Sequence, residues 1–291
     1  MRRVGALLAV LAVLAACGSA TSATAPGTAK STGGSTPAPQ SVAPQTATPT
    51  RTDSPTPGPA ATFPAGPLTI ATLGDSLTEG QGDDSGLGYT GRLKVLVDAV
   101  RPGTKIANVG HSGWSSTDLV NGQNGEPSEL TQAIAANPSV ALVWIGSNDL
   151  WYLYEFGPEP MTTEAEQQDL ATYEANIDKI LHELTSRGIA VYVALLDDQS
   201  KRPVIANPPN PAEPAFPATT AADLVRMSLQ VRAYNDVIRR KAAQYHATTV
   251  DFSDTTIFTD TATLYGDGNH PNGAGYDKIA RIWLAALRPA L

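Results

Sequence analysis

The chain has 291 residues, enough for one or two ordinary domains with a sizeable core. Its 28 acidic against 20 basic residues give a net charge of −8, which argues against binding nucleic-acid phosphates, where a basic face is needed. A single cysteine excludes an intramolecular disulfide framework and any cysteine-cluster zinc or iron–sulfur site.

The chain opens with Arg2 and Arg3, followed by an uncharged apolar run from Val4 to Ala16. That run is too short to cross a hydrocarbon core, which needs roughly 20 helical residues. It has the proportions of a secretory signal instead. No twin-arginine context surrounds the two arginines, so general secretion is expected. Leu14-Ala15-Ala16-Cys17, followed by Gly18, resembles the bacterial lipobox. The resemblance implies a signal over residues 1–17, a diacylglycerol thioether on Cys17, and anchoring on the extracytoplasmic side of the cell membrane. Each buried methylene of the acyl chains contributes about 0.8 kcal/mol, so two chains anchor stably. A plain signal peptide cleaved near Ala20 is the alternative.

Residues 18–66 are almost entirely Ala, Thr, Ser, Pro and Gly. Such a segment buries too little apolar surface to offset its ordering entropy and is expected to be a disordered linker. Prolines 37, 39, 44, 49, 55, 57, 59 and 64 bias it toward extended conformations. Its reach is about 40 Å as a coil and up to about 150 Å as polyproline. The composition also permits O-glycosylation.

Residues 67–291 form the expected catalytic domain. The acidic excess lies entirely there and is larger than the chain's net charge shows, because the segment before Pro67 carries only Arg2, Arg3, Lys30, Arg51 and Asp53 as charges. Strand-like apolar runs occur at 68–74, 105–110, 140–146, 189–196 and 248–253. Their continuous hydrophobicity suggests burial on both faces, as in parallel sheets. Helical patterns fall between them at about 89–100, 126–136, 163–187, 220–246 and 273–288. This alternation predicts a three-layer α/β domain, whose ligands bind beyond the carboxyl ends of the strands.

Four patches sit at those ends. Gly74-Asp75-Ser76-Leu77-Thr78-Glu79-Gly80 follows the first strand and exposes a serine hydroxyl on a tight turn. Asn108-Val109-Gly110-His111-Ser112-Gly113 closes the second, and Gly146-Ser147-Asn148-Asp149 the third. Asp267-Gly268-Asn269-His270 precedes the last helix. A backbone N–H at Gly113 and the Asn148 amide are donors suited to an oxyanion. His270 is placed to take a proton from Ser76, with Asp267 orienting the imidazole.

In content and order these patches resemble the SGNH hydrolases, also called GDSL-type esterases and lipases, over about Leu68 to Ala290. The resemblance implies Ser76 as nucleophile and Asp267 and His270 as its catalytic partners. It also implies an oxyanion hole from Ser76, Gly113 and Asn148, with Gly110 the rival to Gly113. It implies a flavodoxin-like α/β/α sandwich with a mostly parallel five-stranded sheet, and no metal or organic cofactor. The activity implied is that of an exported serine esterase cleaving acyl lipids or O-acetyl carbohydrates through an acyl-enzyme. An acyltransferase on the same scaffold and a non-catalytic carbohydrate-binding lipoprotein are the alternatives.

Other residues read differently. His111 is a rival base close to the site, whereas His182 and His246 fall in helical patterns. Asp75, Asp149 and Asp251 are expected to brace loops. Asp83-Asp84 and Asp251 to Asp254 lack the spacing of a calcium loop. Trp151 to Phe156 forms either an apolar substrate wall or a cover for the core. The proline-rich stretch Asp197–Thr220 reads as a long structureless insertion of the kind that forms lids.

Overall fold

The computed structural model describes residues 63–207 and 219–291. Cys17, the lipobox, the linker as far as Thr62 and residues 208–218 of the proline-rich stretch lie outside them.

Five strands are formed by Thr69–Gly74 (β1), Lys105–Asn108 (β2), Val140–Trp144 (β3), Ala190–Leu195 (β4) and Thr248–Asp251 (β5). Every pairing is parallel and the order is β2-β1-β3-β4-β5. This is the flavodoxin-like order of a doubly wound sheet. All five residues of β3 are buried, as expected for the central strand. The edge strands β2 and β5 are shorter than their apolar runs, because Gly110 and Ser253 already belong to the loops beyond them.

The helices are Ser76–Glu79 (α1), Gly88–Asp98 (α2), Ser116–Asn121 (α3), Glu129–Ala135 (α4), Ser147–Phe156 (α5), Thr163–Thr185 (α6), Pro203–Ala206 (α7), Ala221–Tyr245 (α8) and Gly273–Leu287 (α9). The crossover connections bring α2 together with α9 on one face of the sheet. The other face carries α3, α4, α6 and α8. The long helices match their periodic patterns to within a few residues. The expected helix at 126–136 begins only at Glu129, where the Ser128 hydroxyl caps the Thr131 N–H at 3.2 Å. Pro127, just upstream, has no N–H to contribute.

Aromatic packing fixes each layer against the sheet. Trp144 stacks on Phe252 at 4.1 Å and meets Trp283 of α9 edge-on at 6.2 Å. Tyr173 of α6 stacks on Tyr234 of α8 at 3.9 Å, and its hydroxyl donates to the Ile145 carbonyl at the end of β3.

The folded domain takes in more of the chain than its composition suggests. Phe63 is 9% exposed, with its ring edge-on to Tyr192 at 6.3 Å. Arg101 donates to the Gly66 carbonyl at 3.0 Å and to that of Leu291 at 3.2 Å, so one guanidinium holds both ends of the domain. The Phe63 ring and the Arg101 guanidinium together hold this short Pro/Ala/Gly-rich stretch against the domain.

Candidate active site

The carboxyl ends of β1, β2 and β3 lie side by side, with Thr72 in register with Asn108 and Gly74 with Trp144. The chain must turn sharply after β1 where β3 runs close by. A Cβ at Gly74 would lie 2.1 Å from the Trp144 carbonyl oxygen, so only glycine fits. Asp75 then caps α1, its carboxylate accepting the Leu77 N–H at 3.0 Å. Ser76 is the first helical residue, where a backbone N–H has no intrahelical acceptor.

Ser76 Oγ lies 3.0 Å from His270 Nε2. His270 Nδ1 lies 2.6 Å from Asp267 Oδ2. The other Asp267 oxygen accepts the backbone N–H groups of Asn269 at 2.9 Å and His270 at 3.0 Å, closing a tight turn. Burial pushes the Asp267 carboxyl up, but the bonds from the His270 ring and the two N–H groups outweigh it and hold it below the usual range. An ionised Asp267 accepts a hydrogen bond from Nδ1–H, so Nε2 faces Ser76 as an acceptor and the serine hydroxyl donates.

The loop after β2 is fastened to α5 at three points. Asn148 Nδ2 donates to the Trp114 carbonyl at 2.9 Å, and the Tyr152 hydroxyl to that of Gly113 at 2.6 Å. Asp149 accepts the Ser116 N–H at 2.8 Å and its hydroxyl at 2.5 Å. Gly113 has φ +80°, a left-handed conformation that favours glycine. Glu79 of α1 accepts from both the N–H and the hydroxyl of Ser112, tying the same loop to the serine turn.

The rival readings resolve in geometry. His111 does not bond Ser76. Its ring stacks on Trp114 at 4.5 Å, with Nε2 3.2 Å from Glu126. His182 is exposed on α6, and His246 lies just past α8 as its left-handed cap. Asp83 is paired with Arg92 rather than poised for a cation. Asp251 braces its own turn by accepting the Ser253 N–H at 2.8 Å. Trp151 to Phe156 is helical and partly exposed: Phe156 is 70% exposed, whereas Tyr154 packs against the core.

Asp197 to Asn207 is not a structureless insertion. It forms a 3₁₀ turn, Gln199–Lys201, and the short α7, and packs under the Asp267–His270 turn. Prolines mask this, because a four-residue helix with Pro203 at its first position leaves no 3.6-residue period to detect.

Three buried carboxyls lie beneath the site. Burial pushes Asp75 up to about 6, opposed by the Leu77 N–H and the Arg202 charge. It pushes Asp149 up to about 7 and Glu129 up to about 9. Glu129 accepts the Gly74 N–H at 2.7 Å, so an acid on α4 holds the glycine before the serine turn. Sequence gave no sign of it, since a glutamate at a helix start normally faces water. A folded-state pKa raised above the unfolded one stabilises the fold at low pH and loses that contribution as pH rises through the folded value. Asp75 and Asp149 complete this loss by about pH 7, leaving Glu129 to act between pH 7 and 9. Wild-type Tm is therefore expected to fall more steeply over that window than that of Glu129→Gln, read by thermal melts at matched ionic strength.

A family model for GDSL-like lipases and acylhydrolases matches residues 72–278, which include every strand end described above. The chain belongs to that family. It is 23% identical over 257 residues to a multidomain esterase of Ruminococcus flavefaciens. That match covers 79% of this chain but spans only 29% of the relative's length. It is 25% identical to the protein YpmR of Bacillus subtilis strain 168, covering 76% of this chain and 82% of that one. Among solved structures, Axe2, an acetylxylan esterase from Geobacillus stearothermophilus, aligns with a TM-score of 0.53 at 23% identity. The alignment covers 76% of this chain and 95% of Axe2. LAE5, an alpha/beta hydrolase enzyme from the metagenome of Lake Arreo, Spain, aligns with a TM-score of 0.54 at 22% identity. It is covered in full, with 79% of this chain. These likenesses show a shared fold.

Proposed function

We propose that this GDSL hydrolase is an exported, lipid-anchored esterase that removes small acyl groups from carbohydrate through an acyl-enzyme on Ser76. The observation that carries the reading is the unbroken chain Ser76 Oγ–His270 Nε2–His270 Nδ1–Asp267, with links of 3.0 and 2.6 Å. Ser76 attacks the ester carbonyl as its proton passes to His270, and Asp267 stabilises the imidazolium. The oxyanion is met by the N–H groups of Ser76 and Gly113 and by the Asn148 amide hydrogen that does not bond Trp114. His270 returns its proton to the leaving alcohol, then activates water to release the acid.

The acetyl-carbohydrate reading is supported by the fold shared with Axe2 and by polar side chains where the serine turn meets the loop after β2, Glu79 and Gln81 both accepting from the Ser112 hydroxyl. Initial rates on p-nitrophenyl esters from acetyl to palmitoyl, beside acetylated sugars, test it. Turnover is expected to peak at acetyl and to include the sugars. A maximum at palmitoyl with no release of acetate from sugars would replace it with lipid hydrolysis.

The lipid anchor rests on the lipobox at Cys17. Wild-type protein expressed with its own signal is expected in the membrane fraction, with a lipid-modified N-terminal peptide by mass spectrometry. Cys17→Ala is expected to lose both. An unmodified N-terminus beginning after Ala20 in the wild type would refute anchoring.

A further inference from the structure

The segment after β4 carries a buried cation that the ester chemistry does not use. Arg202 has a side chain 2% exposed, between the Gln199–Lys201 turn and α7. Two arms of its guanidinium fork onto Asp197, Nε to Oδ2 at 2.8 Å and Nη2 to Oδ1 at 2.6 Å. Its plane is backed by the Phe258 ring, 4.6 Å from the centroid. The third arm, Nη1, donates to Asn269 Oδ1 at 2.8 Å. Two residues on, the Val204 N–H donates to the Gly268 carbonyl at 3.0 Å.

Both contacts land inside the Asp267–His270 turn. Asn269 sits beside His270 and two residues past Asp267, and its own N–H donates to Asp267 Oδ1 at 2.9 Å. Its backbone therefore holds the aspartate while its side chain is held by Arg202. A buried ion pair is poor value for stability alone, since apolar residues of similar volume often do as well. A fork fixed by Asp197 with one arm left over supplies geometry instead, because arginine presents its donors in a rigid plane. The opposite end of the segment is fixed too, with Gln199 Nε2 donating to the Ser147 carbonyl at 3.1 Å, next to Asn148.

From this we infer that Arg202 and Asn269 are positioning residues, and that the segment 197–207 is a buttress holding the Asp267–His270 turn at hydrogen-bonding distance from Ser76. The inference rests on the assignment of Ser76, His270 and Asp267 as the catalytic groups. Neither Arg202 nor Asn269 takes part in bond making. Their effect is on placement, and displacement of a reacting group by about 1 Å costs on the order of 100-fold in rate.

The test is steady-state hydrolysis of p-nitrophenyl acetate by Asn269→Ala, Arg202→Lys and their double variant, with Ser76→Ala alongside and Tm measured for each. Asn269→Ala cuts only the third arm and leaves the Arg202–Asp197 pair intact, so it keeps the test sound even if Arg202→Lys fails to fold. Asn269→Ala is expected to lower kcat about 10- to 100-fold with KM within twofold. Arg202→Lys keeps the charge but loses the fork, and is expected to do the same. Because both break one link, the double variant is expected to match the worse single rather than multiply the losses. A folded Asn269→Ala with kcat within twofold of wild type overturns the inference, as does a loss confined to KM. Activity surviving in Ser76→Ala would instead overturn the assignment beneath it.

Discussion

Ser76→Ala is expected to abolish ester turnover almost completely, with a loss approaching about 10⁶ in kcat, and His270→Ala to do nearly the same. The double variant is expected to lose little more than either single. The reason is geometric: His270 Nε2 acts only on the Ser76 hydroxyl, 3.0 Å away, so removing either group disables the other. Residual catalysis comes from the oxyanion donors and substrate binding, which both variants keep. Asp267→Asn is expected to cost about 10⁴, since an amide disfavours the tautomer that presents Nε2 as an acceptor. The measurement is kcat on a soluble short-chain ester using the folded domain. Full activity in His270→Ala with loss in His111→Ala would move the base to the loop after β2.

Much of this arrangement is legible in the chain itself. Continuous apolar runs such as Val140 to Ile145 announce buried parallel strands, and the long α6, α8 and α9 announce themselves by period. The reacting groups sit where strands end, so position and chemistry point together to Ser76, Asn148, Asp267 and His270. What supports them is illegible for physical reasons. Arg202 and Glu129 are charged residues, and nothing local distinguishes one that will be buried from one that will face water. Glu129 meets its partner 55 residues away at Gly74, and Arg202, besides the nearby Asp197, reaches 67 residues to Asn269. The short helices α1, α3 and α7 span only four to six residues, too few to show a period. Phe63 is misread for the opposite reason, because the segment around it has a linker's composition and one ring changes its fate.

Asn148→Ala is expected to lower kcat about 10²–10³-fold, or roughly 3–4 kcal/mol, with little change in KM. A carbonyl oxygen carries little charge in the bound ester and nearly a full charge in the tetrahedral intermediate. A fixed amide donor therefore favours the transition state over the ground state. The Asn148 amide has two hydrogens, and only one is used by the Trp114 carbonyl at 2.9 Å. Losing that bond does not free the loop, because Tyr152 still holds Gly113 and Asp149 still holds Ser116. Asn148→Asp is expected to be worse, since a carboxylate repels the developing oxyanion. A large rise in KM at unchanged kcat would place Asn148 in substrate binding instead.

The central claim is that Ser76 is the nucleophile activated by His270. Treating the folded protein with a fluorophosphonate and locating the adduct by peptide mass spectrometry tests it most directly. The account predicts a single adduct on Ser76, absent in Ser76→Ala and formed far more slowly in His270→Ala. A wild-type protein that hydrolyses p-nitrophenyl acetate yet carries its adduct on another residue, or is labelled at an unchanged rate in His270→Ala, would contradict it.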